Sequence, residues 1–259
     1  MKNSGDKQLE KRVIDLIRAS ENQCRYTRTN FLNPAEQALC LKVLNDEHYY
    51  SYKFVGSLCG SEKEDITERR IAVFGNSGEL GYDYESPICA VRISPVSEKF
   101  ADELTHRDYL GAIMNLGIDR SLTGDIVIKG KTAWVYCLDR IGEYIADNLT
   151  SVKHTSVISS IETGEVPDLM PVFREMRVNV ASERIDALVA ALIGKSRNTA
   201  SEAIKAQKVF IDGKLIDGGS AVMKPGNIIS VRGFGKFRYE GIEHETKKGR
   251  LFVIVKKYE

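Results

Sequence analysis

Apolar residues recur every three to four positions in KQLEKRVIDLIRAS, residues 7–20. Leu9, Val13, Leu16 and Ile17 fall on one stripe and predict an amphipathic helix. A second helix is expected after Asn33-Pro34. Asn suits an N-cap, Pro suits the first turn, and AEQALCLKVLND repeats apolar residues at helical spacing. HYYSYKFVGSLCG and TERRIAVFG read as extended segments leading into the turn-rich GNSGELG. Residues 1–83 are therefore expected to form an N-terminal α+β unit.

The pattern then changes to an ordered alternation. ICAVRIS (88–94) reads as a strand, EKFADELTHRDYLGAIMNLG (98–117) as a helix, and IVIKGKTAWVYCL (126–138) as a hairpin turning at Lys129-Gly130. DRIGEYIADNLTSV (139–152) reads as a helix and HTSVISSIE (154–162) as a strand. This βαββαβ order over residues 84–165 predicts a ferredoxin-like domain. RNA-recognition modules share that architecture, and Trp134 and Tyr136 lie on one face of their strand. The Gly-aromatic spacing of the usual RNA-recognition signature is missing, so core packing is at least as good a reading of both rings.

Residues 166–181 read as a linker. Beyond it, SERIDALVAALIG predicts a helix capped by Ser182 and ended by Gly194, and RNTASEAIKAQK a second helix capped by Ser196. VFI-DG-KLI predicts a tight hairpin, and AVMKPGNIISV a Pro-Gly turn before one more strand. The chain is thus expected to be α+β throughout, with its last domain over residues 182–259.

Charge changes how that last domain is read. The net charge is only +1, yet residues 182–259 carry 15 Lys and Arg against 9 Asp and Glu, while residues 1–181 carry 22 against 27. A basic terminal third points first to nucleic acid, or else to a solvated basic face. The five cysteines and four histidines are scattered without metal-ligand spacing, so neither a disulfide framework nor a metal or cofactor site is expected. No apolar run is long enough to span a bilayer, and MKNSGDKQLEKR has no apolar signal core. A cytoplasmic protein without membrane contact, and a monomer, are the expectations.

The candidate site is the start and outer face of the second basic helix. Ser196, Arg197 and Asn198 surround a helix N-terminus, with Arg184 at the opening of the preceding helix and Lys195 in the turn between them. Lys205 and Lys208 continue the face, and Lys214 and Lys224 lie at its margin. Helix N-termini beside guanidinium groups suit phosphate oxygens. Arg232, Lys236 and Arg238, in RGFGKFRY, read as a secondary basic contact or as an ordinary strand and loop.

Several motifs in order carry a resemblance. Arg184-Ile185-Asp186, Ser196-Arg197 with Ala200, Ile204 with Lys208-Val209, Ile211-Asp212-Gly213 and Lys224-Pro225-Gly226-Asn227 resemble an S4 RNA-binding domain. The family pattern has Leu, Asn and Asp where this chain has Ile185, Asp212 and Asn227. LTHRDYLGAIMNLGIDR with TGDIVI is similar to the centre of the YlmH family, which FLNPAEQ and ITERRIAVF also resemble. That resemblance implies a non-catalytic protein that contacts rRNA and tRNA on the large ribosomal subunit carrying stalled peptidyl-tRNA, in ribosome-associated quality control.

Catalytic readings fare less well. His106-Arg107-Asp108 matches a kinase catalytic-loop triplet, but the Asn, Asp-Phe-Gly and Gly-rich loop that kinase chemistry needs are absent. GNSGELG lacks the Gly-Lys-Ser/Thr ending of a phosphate loop. S4 domains are also appended to RNA-modifying enzymes such as pseudouridine synthases, so that class stays open as the alternative, as does an adaptor for an acidic protein. No nucleophile and base pair stands out for the enzyme reading.

Overall fold

The computed structural model describes residues 4–56, 67–163, 173–247 and 249–258. The chain divides into two compact units, Met1–Met170 and Pro171–Glu259.

The first unit opens with α1 (Ser4–Gln23), β1 (Thr27–Leu32) and α2 (Pro34–Asp46), followed by β2 (Tyr52–Val55) and β3 (Arg70–Phe74). The expected start of α2 is present. Asn33 accepts from the Glu36 backbone N–H, Glu36 answers the Asn33 N–H, and Pro34 takes the first turn. The strands make an antiparallel sheet in the order β1-β3-β2. Val13, Leu16 and Ile17 of the predicted stripe are buried against Leu44 and Phe74. Residues 57–60 of the expected extended segment lie outside the described residues. GNSGELG forms a single turn of helix, α3 (Ser77–Leu80), between an Asn76 cap and a left-handed Gly81 at φ +77°.

The rest of this unit comprises β4 (Ile88–Pro95), α4 (His106–Asn115), β5 (Thr123–Lys129), β6 (Thr132–Leu138), α5 (Asp139–Asn148), β7 (Ser151–Val152) and β8 (Thr155–Ile161). The sheet order β5-β6-β4-β8-β7 contains the ferredoxin-like strand arrangement, with the two-residue β7 added at one edge. Both helices are shorter than their apolar spacing suggests. α4 begins at His106 because Thr105 and Asp108 form a capping box, and residues 98–100 make only a 3₁₀ turn. α5 stops at Asn148, where the chain enters β7 and reverses through a left-handed Lys153 (φ 52°).

The first described element of the second unit is β9 (Phe173–Val180), within the stretch 166–181 expected to be a linker; residues 166–172 of that stretch lie outside the described residues. The residues of β9 alternate inward and outward along β14 (Leu251–Tyr258), a partner that no local pattern reveals. Between them come α6 (Ile185–Leu192), α7 (Arg197–Lys205), β10 (Val209–Ile211), β11 (Lys214–Leu215), β12 (Ile228–Val231) and β13 (Gly235–Glu245). All six strands form one antiparallel sheet in the order β11-β10-β12-β13-β14-β9. The Asp212-Gly213 turn is the expected tight hairpin, both residues at positive φ (48° and 73°). The stripe of α6 packs with Ala200 and Ile204 of α7 onto Ile229, Val231, Phe237, Tyr239, Val253 and Val255. Leu188 and Val189 are fully buried, each contributing about 1.5–3 kcal/mol relative to exposure.

Candidate nucleic-acid interface

The two helices of the second unit present their polar residues away from that core. α6 starts two residues later than a Ser182 cap would place it, so Ser182 is not its cap. Arg184 occupies the cap position, without a side-chain hydrogen bond to the backbone amides of the first turn. The first amides of the helix are satisfied by a neighbouring loop instead. Ile185 N–H donates to the Ala221 carbonyl at 2.8 Å, and Asp186 N–H to Gly219 at 3.3 Å. This contact needs a glycine, because a Cβ on Gly219 would stand 2.7 Å from the Asp186 Cβ.

Asp186 organises the basic residues. Its carboxylate accepts from Arg184 Nε and a terminal guanidinium nitrogen at 3.2 and 3.1 Å, and from Arg197 at 3.2 and 3.3 Å. Burial favours a neutral acid here, but hydrogen bonds from the two arginines and the charge of Arg197 outweigh it and hold the carboxyl below its ordinary value. The aspartate side chain is only 13% exposed, whereas Arg184 and Arg197 are 47% and 53% exposed. The guanidiniums are therefore oriented by one nearly buried anion and keep outward-facing donors. The sequence reading missed this bridge. Its signal was the i, i+2 spacing of Arg184 and Asp186, quoted only as a family motif.

Ser196 caps α7 as predicted, its hydroxyl accepting from the Thr199 N–H at 3.2 Å. Lys195 stands in the turn that left-handed Gly194 (φ 62°) opens, and Lys195, Arg197 and Asn198 are all exposed. Lys205, Lys208, Lys214 and Lys224 are exposed too, Lys205 in the last turn of α7 and Lys214 on β11.

The turn at Lys224 is tied to the hairpin turn. Asn227 Nδ2 donates to Asp212 at 2.7 Å, its Oδ1 accepts from Lys224 N–H at 2.7 Å, and Asp212 also accepts from Ile228 N–H at 2.8 Å. Two of the departures from the S4 pattern thus face each other.

Arg232, Lys236 and Arg238 belong elsewhere. Along β13, Phe237 and Tyr239 point into the core, so Lys236 and Arg238 point to the side of the sheet away from α6 and α7. They sit on ordered strand, and Arg232 sits at the turn that joins β12 to β13.

In the first unit, Trp134 and Tyr136 are 6% and 3% exposed and are core residues. Trp134 Nε1 donates to Glu162 at 3.3 Å. Asp108 of the His-Arg-Asp triplet closes the α4 cap and pairs with Lys153 at 2.8 Å, and these contacts draw its pKa down to about 2. No group of three or more His, Cys, Asp or Glu with metal-binding geometry occurs among the described residues. No helix among them is long and apolar enough to cross a membrane.

This arrangement is that of an S4-domain RNA-binding protein. Residues 183–229 match the S4 domain family, and residues 82–165 match the family described as "Putative RNA-binding domain in YlmH". The chain thus carries, in order, the two domains that these families describe, and in this it is similar to YlmH-type S4-domain proteins. It is 27% identical over 248 residues to the "Ribosome-associated protein quality control protein P2" of Bacillus subtilis (strain 168), covering 93% of this chain and 91% of that protein. A solved structure, "Cell division protein ylmH from Streptococcus pneumoniae", is 20% identical with a TM-score of 0.47, covering 62% of this chain and 93% of that one.

Proposed function

We propose that this protein is a non-catalytic, cytoplasmic and monomeric RNA-binding factor of ribosome-associated quality control. It grips rRNA and tRNA on the large ribosomal subunit carrying stalled peptidyl-tRNA. The observation that carries the reading is the pair of half-exposed guanidiniums, Arg184 and Arg197, held by Asp186 beside the N-terminus of α7. Preoriented guanidiniums suit phosphate oxygens because less side-chain freedom is lost on contact. Lys195, Ser196 and Asn198 extend the phosphate surface at that helix start, Lys205 and Lys208 extend it along the helix end, and Lys214 and Lys224 supply its margin.

The name of the Bacillus subtilis relative supports the quality-control part of the reading, and the match of residues 82–165 to a putative RNA-binding domain supports a binding role over the RNA-modifying alternative. Each phosphate neutralised should steepen the fall of affinity with salt. The test is sucrose-gradient sedimentation of lysate, with and without nuclease, for the wild type, Arg197→Glu and Lys7→Glu. Lys7 is exposed in α1, far along the chain from the basic helices. The expected result is wild type and Lys7→Glu with large subunits and Arg197→Glu at the top of the gradient. Equal sedimentation of both variants would sink the assigned surface, and wild type at the top would remove the ribosomal reading.

A further inference from the structure

The S4 match ends at residue 229, but the sheet does not. β13, β14 and β9 widen it beyond that domain, and the face they add, away from α6 and α7, has no role in the reading above. Cross-strand register runs one row over this face. Leu215 pairs Phe210, Phe210 pairs Ser230, and Ser230 pairs Lys236. Lys236 Nζ lies 4.8 Å from the centre of the Tyr258 ring, and Tyr258 pairs Phe173, so the row crosses all six strands.

Each part-exposed aromatic of the row has a cation against it. Besides Lys236 on Tyr258, Arg232 lies 5.0 Å from the Phe210 ring centre and Arg238 5.3 Å from that of Phe173. Phe173 and Tyr258 meet edge to face at 4.9 Å. The next row adds Lys256 opposite Arg238. Acidic groups here include Glu240, which pairs with Arg238 at 2.6 Å and reaches Lys256 at 3.8 Å, Glu175, opposite Lys256, and Glu243, paired at 3.2 Å with Arg177, which shares the face of Glu175. Among these described residues five cations stand against three carboxylates. At the hairpin beside Arg232, Phe234 is 44% exposed.

Rings spaced along a strand row and interleaved with Lys and Arg match the chemistry of unpaired nucleic acid. Bases stack on the rings and on guanidinium planes while the cations neutralise phosphates. The geometry points to a second RNA site on this outer face, which binds a single-stranded segment by stacking on Phe210, Tyr258 and Phe173. It is separate from the phosphate surface of α6 and α7 and extends the RNA-binding reading to a different face and a different RNA structure.

The test uses the full chain and two labelled probes, an oligouridine of about 12 nucleotides and an RNA duplex of about 16 base pairs, read by fluorescence anisotropy. For Phe210→Ala/Tyr258→Ala we expect about tenfold weaker oligouridine binding, with duplex binding and melting temperature unchanged. Arg197→Glu should chiefly weaken the duplex. Unchanged oligouridine affinity in the double variant overturns the outer-face site, while the Arg197 result still reports on the helix face. As a check that needs no variant, photo-crosslinking of 4-thiouridine-substituted oligouridine to the wild type should label peptides of β10, β13, β14 or β9. Labelling confined to α6 and α7 would equally overturn it.

Discussion

The chain builds two five- or six-stranded sheets, each with two helices on one face and aromatic side chains on the other, and the fates of those aromatics differ. In the first unit Trp134 and Tyr136 are closed off. Leu138, two residues further on the same side of β6, shares a core with Phe31, Val55, Ile71 and Val73 of the three-stranded sheet. A polar seam holds the two sheets together. The Arg69 guanidinium donates to the carbonyls of Thr123 at 3.0 Å and Phe31 at 2.9 Å, and Asp125 accepts from the backbone of Glu68 and Arg69. In the second unit the same side of the sheet alternates rings with Lys236, Arg238 and Lys256, charges that are costly to bury. Two aromatics on one strand therefore say little about base stacking. What lies between and beside them decides whether a neighbouring layer closes over the face or leaves it for a ligand.

The sharpest way to break this comparison is Trp134→Ala. It should cost about 3–5 kcal/mol in chemical denaturation, as a large buried ring does, whereas Tyr258→Ala should cost under about 1 kcal/mol. Equal losses would mean that both aromatic faces are core. Arg69→Met comes next. It leaves buried carbonyls without their donor and should cost about 1–3 kcal/mol, seen as a lower melting temperature of the first unit. Asp186→Ala should be milder, about 1 kcal/mol of stability, because its arginine partners are half exposed and solvated. Its larger effect is expected in RNA binding, where Arg184 and Arg197 lose their common anchor. RNA affinity at or above the wild-type level would show that preorientation by Asp186 is not used.

The smallest effect is a pH dependence. Asp108 titrates near pH 2 when folded, below the ordinary aspartate value of about 3.9, because Lys153 and the Thr105 cap hold its charge. Its contribution is therefore complete above the unfolded value and is lost as pH falls from about 4 towards 2. Asp108→Asn should flatten that part of the stability profile, and carboxyl NMR shifts of the wild type should place the midpoint near 2. A midpoint near 4 would mean that the Lys153 pair does not form in solution.

Much of this architecture was legible because its signals are local. Asn33-Pro34 with Glu36, Ser196, and Asp212-Gly213 each specify a cap or turn through their own hydrogen bonds or their tolerance of positive φ. The βαββαβ order followed from alternating periodicities. The misses have long-range or competing causes. β9 reads as linker because its pairing with β14 joins opposite ends of the domain. Periodicity ran α4 back to residue 98, but the Thr105–Asp108 box starts it at His106. The start of α6 is set by carbonyls of Gly219 and Ala221, contributed from beyond α7. The basic residues of the candidate site were visible in composition, whereas the division of Arg232, Lys236 and Arg238 onto the opposite face required strand register.

The link between Asp212 and Asn227 has a consequence for how this chain could diverge. The S4 pattern that the chain resembles places Asn and Asp at these two positions, and here they are exchanged, with one acid and one amide still facing each other. A step back at Asn227 alone sets two carboxylates together, a step back at Asp212 alone leaves one acceptor oxygen for the two donors Asn227 Nδ2 and Ile228 N–H, and only the paired change restores a carboxylate opposite an amide. The two turns thus form a lock with two keyed settings. Asp212→Asn and Asn227→Asp should each weaken the chain, the double replacement should recover it, and sequence drift between the settings must pass through a less stable intermediate.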